Sequence, residues 1–214
     1  LQRKNAVTVA ILAIGIGGAG ATAIVAMAGS SNPTGRGERR QIETTPGAVA
    51  SHLRVMRGPP DGHDRLPIAA QGIAVSGTDS NQTGENVDLS RRARSVSDDG
   101  AVYVVPGNGT TCLFLQTGTG RNAIARGGCD TVGHALDGHL YRVASGPDLG
   151  LDHGEALVYG IAPDGVDTVS ITGPDGKTTK APVVNSVWLA TVPESGSTTV
   201  TVGSTELRVQ GPPA

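Results

Sequence analysis

The sequence predicts an all-β extracytoplasmic domain, an immunoglobulin-like sandwich or a small barrel, placed after an N-terminal transmembrane helix and a flexible stalk. Three observations carry that prediction. An uncharged apolar run extends from Ala6 to Ala28. A segment dominated by Gly, Pro, Ser, Asn, Thr and Arg follows it. From about Arg94 onward, short apolar segments recur between turn residues with almost no helical periodicity.

The apolar run contains GIGGAG, Gly15 to Gly20, which fits G-x-G-x-x-G. A dinucleotide site needs more than these glycines: a second strand, and an acid about 20 residues further on. Glu38 supplies the acid. The second strand is missing, because SSNPTGRGERRQIE offers only Ile42 as an apolar residue and is broken by Pro33 and Gly35. A buried parallel strand reads as a near-continuous apolar run instead. No nucleotide partner is therefore expected. A membrane helix needs no missing parts, since the run is long enough for a hydrocarbon core about 30 Å thick. Lipid also tolerates its glycines, because unwinding there would strand backbone polar groups. Ala13, Gly17 and Ala21 fall at the spacing that lets membrane helices approach closely, within a segment rich in small residues all round.

Arg3 and Lys4 make residues 1–5 a cytoplasmic N-terminus and residues 6–28 an anchor with the rest exported. Arg36, Arg39 and Arg40 lie on the far side, but long domains translocate largely regardless of such charges. Ala26-Met27-Ala28 offers a signal-peptidase site, which would make the protein secreted. A signal peptide usually has an apolar core of only about 7–15 residues, so an uncleaved single-pass anchor is expected.

Residues 29–93 read as the polar stalk. Within it Val49, Leu53 and Met56 mark one face of a short helix near 47–57, stopped by Gly58-Pro59-Pro60. DRLPIAAQGI reads as an irregular piece lying against the folded part. The basic stretch Leu89 to Arg94 is flanked by Asp88, Asp98 and Asp99, which predicts a solvated face.

The β domain is expected over 94–211. Ser95 to Ser97 and Ala101 to Val105 form a hairpin across Asp98-Asp99-Gly100. Thr111 to Gln116 is the next strand, after the turn at Pro106 to Gly109. Gly118 to Gly128 reads as a glycine-rich loop, Thr131 to Asp137 as a short helix, and Leu140 to Ala144 as a strand. Ala156 to Ile161, Thr168 to Thr172, Lys177 to Ala181 and Val187 to Val192 follow as strands. A final hairpin pairs Thr199 to Val202 with Glu206 to Val209. The two cysteines, Cys112 and Cys129, read as a disulfide beyond a membrane anchor, linking the far end of the glycine-rich loop to the sheet.

Composition narrows function by exclusion. A formal net charge of -2 argues against nucleic-acid binding through charge, and 2% aromatics leave no stacking platform for single strands. G-x-S-x-G, S-x-x-K and H-E-x-x-H are absent, so no catalytic residue is assigned. His134, Asp137, His139, Asp152, His153 and Glu155 hold metal-ligand chemistry without metal-ligand spacing, and neither a metal nor a cofactor is expected. Asp164 and Asp175 sit in Pro-Asp-Gly turns, where Asp bonds local backbone. Asn81-Gln82-Thr83 and Asn108-Gly109-Thr110 are glycosylation sequons in form only.

HLRVMRGPPDGHDRLP, VYVVPGNGTTCLFLQ, GGC, YGIAPDGVDTVSI and APVVNSVWLATVP occur in that order over roughly residues 50 to 193. This order resembles a group of uncharacterised exported or membrane-anchored actinobacterial proteins. The resemblance implies location and architecture, adds support to pairing Cys112 with Cys129, and implies no chemistry. The resulting expectation is a non-catalytic cell-envelope protein that meets the membrane through its N-terminal helix, its ligand unspecified. Two other readings stay open: the extracytoplasmic sensor of an anti-sigma-like signalling protein, and a secreted hydrolase or metal-binding enzyme.

Overall fold

The computed structural model describes residues 47–67 and 86–210, all within a unit spanning Gln41–Ala214. The apolar run at 6–28, the GIGGAG glycines, Glu38 and Asn81 lie outside the described residues. Among the described residues no helix is long and apolar enough to cross a membrane.

The domain is all-β, built from two antiparallel sheets and a few short helical turns. The first sheet holds β1 (Arg91–Ser97), β2 (Gly100–Pro106), β3 (Thr110–Thr117) and β4 (Ile124–Thr131) in chain order, an up-and-down meander. The second holds β5 (Tyr141–Ala144), β6 (Glu155–Ile161), β7 (Thr168–Thr172), β8 (Thr178–Val184), β9 (Val187–Pro193), β10 (Ser197–Val202) and β11 (Thr205–Gln210). Its spatial order is β11-β10-β7-β8-β9-β6-β5.

Strand β8 makes the corner of this second sheet. Its first part, through Pro182, pairs with β7, whereas Val183 and Val184 pair with β9. The two-residue link to β9, Asn185-Ser186, has φ of 48° and 64°. A tight hairpin requires that geometry, because its backbone twist must match the twist of the strands. The sheet curls into a half-barrel whose edges face each other: Tyr141 Oη of β5 donates to Arg208 O of β11 at 3.3 Å, and Thr205 Oγ1 donates to Asp137 O at 2.7 Å.

Strand period explains the layering, because alternate side chains leave opposite faces. Val102, Val104, Leu113 and Leu115 of the meander pack with Leu157, Tyr159 and Ile161 of β6. The intervening β6 residues Ala156 and Val158 enter the half-barrel, with Trp188, Val169, Val200 and Val209. The meander's other face buries Tyr103, Val105, Cys112 and Phe114 with Leu66. Strands β2, β3 and β6 are buried on both faces, which is why they read as unbroken apolar runs.

Three sequence expectations need correction. First, residues 47–67 and 86–93 are part of the folded unit and not stalk. Val49, Leu53 and Met56, on α1 (Gly47–His52) and the turn after it, are at most 1% exposed and fill the space between the sheets. Second, the basic stretch is not a solvated face. Arg91 opens β1 at 3% exposure, and its guanidinium donates to the carbonyls of Leu89, Ser90 and Gly58 at 2.9–3.1 Å. Third, much of the glycine-rich loop is strand β4, paired with β3 from Thr110↔Thr131 to Thr117↔Ile124.

Candidate functional site

The short motifs of the sequence turn out to be joints between layers. A Cβ on Gly127 would lie 2.0 Å from Leu113 O and 2.6 Å from the Phe114 ring, so only glycine lets Phe114 fold over β4. One on Gly128 would meet the Arg142 guanidinium at 2.7 Å; that group donates to Cys129 O at 3.0 Å. Cys129 and Cys112 face each other in register and form a disulfide of 2.06 Å, 17 residues apart in sequence. The pairing expected from the sequence is therefore present, on two paired strands and not across a loop.

In YGIAPDG, Tyr159 Oη crosses from β6 to donate to Arg126 O at 2.9 Å, and its burial pushes the phenol well above its ordinary range. Gly160 leaves room for the Trp188 ring, which a Cβ would meet at 2.5 Å. Asp164 does more than close a turn. Its carboxylate accepts from Arg54 N at 3.1 Å and pairs with the Arg57 guanidinium, while its own N–H donates to His52 O at 3.1 Å. The helix-bearing strap of residues 47–57 is thus clamped onto the PDGV element. Asp175 keeps the local role expected of it, accepting from Lys177 N at 3.1 Å.

The His/Asp candidates divide into two places. The rings of His134 and His139 are 5.6 Å apart, and His134 Nδ1 lies 3.1 Å from Asp130 Oδ1. Thr131 caps the short helix α2 (Val132–Leu136) by accepting from His134 N, which sets that geometry. Asp152, His153 and Glu155 lie elsewhere, before and at the start of β6. Among the described residues no group of three or more His, Cys, Asp or Glu side chains is gathered to hold a metal ion.

Those last three residues line a cavity of about 310 Å³, together with Gly146, Pro147, Leu151, Gly154 and Glu194. Its walls are held from outside the cavity. Asp148 accepts from Arg126 Nη1 at 2.7 Å, from Arg126 Nη2 at 3.1 Å and from Thr117 Oγ1 at 2.8 Å, tying the Pro147–Leu149 turn to the meander. These contacts, the Arg126 bond foremost, hold the Asp148 carboxyl below its usual range and raise the Arg126 guanidinium. On the opposite side Glu194 N donates to Gly154 O at 2.8 Å. Glu155 Oε2 accepts from Asp152 N at 3.2 Å, closing the turn between them. Sequence reasoning placed Asp152, His153 and Glu155 near one another but missed Glu194, because only the β6–β9 pairing, with Glu155 opposite Pro193, brings it there.

No protein family, curated protein or solved structure matches this chain.

Proposed function

We propose that this chain is a non-catalytic cell-envelope protein of the actinobacterial type it resembles, anchored by a single helix over Ala6 to Ala28, with its β domain outside the membrane. The Cys112–Cys129 disulfide carries the reading. Disulfides persist in oxidising compartments, and one inside a domain that follows an uncharged apolar run is what export of that domain produces. The missing catalytic motifs and the structural duties of Gly127, Gly160 and Asp164 support a binding or scaffolding role over chemistry.

Topology tests the proposal. Protease added to intact protoplasts is expected to remove the β domain while a cytoplasmic marker survives. Survival of both would overturn the orientation. The preformed cavity beside β6 favours a second reading, in which the domain is the extracytoplasmic sensor of a signalling protein. A folded domain on the cytoplasmic side of the helix would support that reading over a plain anchor.

A further inference from the structure

Going beyond that reading, we propose that the cavity between the 146–155 segment and Glu194 binds a primary ammonium group carried on a short aliphatic chain, as on a lysine side chain. The volume, about 310 Å³, falls at the lower end of the range for small-ligand pockets. Pro147 and Leu151 give it an apolar wall on which methylenes can lie. Asp152, Glu155 and Glu194 line the cavity as well, and among the described residues none of the three has a salt-bridge partner. The lining therefore combines an apolar patch with three acids and one histidine, His153.

The chemistry of the lining selects among cations. A divalent metal would need its ligands gathered, and among the described residues no such group exists. A quaternary ammonium is recognised by the faces of Trp, Tyr or Phe, and none of these lines the cavity, whose one ring is the imidazole of His153. A primary ammonium brings three N–H donors, which match carboxylate oxygens, and it arrives on a flexible aliphatic stem. Anionic ligands meet like charge. The wall is also preorganised: the Asp148–Arg126–Thr117 contacts fix the turn carrying Pro147 without using any of the three lining acids. Less ordering is then left to oppose binding.

Saturation-transfer NMR on the full chain in lipid nanodiscs, with empty nanodiscs as the blank, tests this directly. The probes are Nα-acetyl-lysine methylamide, its uncharged norleucine counterpart and n-butylamine. The lysine probe is expected to saturate with a Kd on the order of 1 mM, and the norleucine probe to bind more weakly. Glu155→Gln combined with Glu194→Gln is expected to weaken the lysine probe at least about twofold, since each exposed charge contributes up to about fivefold. Raised salt should act in the same direction without any substitution, and Glu206→Gln on β11 should change nothing. Equal binding of butylamine would identify a free amine as an acceptable source; preference for the lysine probe would identify a peptide. Either result supports the site. Equal binding of norleucine, an undiminished signal in the double variant, or no saturation transfer from either amine at tens of millimolar would overturn it.

Discussion

Asp148 works at a distance from anything it encloses. Its carboxylate accepts three hydrogen bonds, two from Arg126 and one from Thr117, and these favour the ionised form. A carboxyl whose pKa is depressed by folding contributes stability above its unfolded pKa and loses it as pH falls through the folded value. Asp148→Asn is therefore expected to destabilise the domain at neutral pH. The gap between variant and parent should close as pH falls below the ordinary Asp range, near 4. Urea titrations at stepped pH measure it, and a gap independent of pH would show that the ionised carboxylate is not what holds the turn. Asp164 shows where reading residues in a sequence stops. It shares Pro-Asp-Gly with Asp175, and both sit in turns, yet only Asp164 receives a segment whose nearest bonded residue lies 107 positions away. No local pattern encodes such an arrival.

Among the elements, most strands were legible because alternation, turn residues and unbroken apolar runs are properties of the strand itself. The hairpins at Asp98-Asp99-Gly100, Gly173 to Gly176 and Gly203-Ser204 were readable for the same reason. Strand β4 was not. Gly127 and Gly128 interrupt its pattern, and they are tolerable in a strand only because Phe114 and Arg142 occupy the space that side chains would have filled. The position of β4 also changes the reason why the cysteines matter. The bridge joins an edge strand to its paired neighbour, and its stabilisation comes from restricting the unfolded chain, about 3 kcal/mol for a loop of this size. Cys129→Ser is expected to lower the thermal midpoint by several degrees. Alkylation of native, unreduced protein before mass spectrometry should find no modified cysteine; two alkylated cysteines would remove both the bridge and the main support for export.

For the molecule as a whole, the boundary drawn from composition fell in the wrong place. Polar and glycine-rich stretches hide the few apolar residues, Val49, Leu53, Met56 and Leu66, that complete the core from the N-terminal side. The cavity was legible only in part, since Glu194 joins it through sheet pairing. A chain beginning at Arg94 is expected to lack a cooperative thermal transition and near-ultraviolet dichroism, because it loses those four side chains and the first half of β1. A sharp transition in that truncated chain would show the strap to be dispensable. The same strap has a consequence for how the protein is made. Its residues leave the ribosome well before the clamp that receives them, since Asp164 is synthesised 110 positions after Arg54. Contacts so distant in sequence form late and slow folding. Until then apolar side chains stay exposed and open to aggregation. For the exported protein proposed above, that delay has a use: a nascent chain unable to close its core early remains thin enough to be threaded through a membrane.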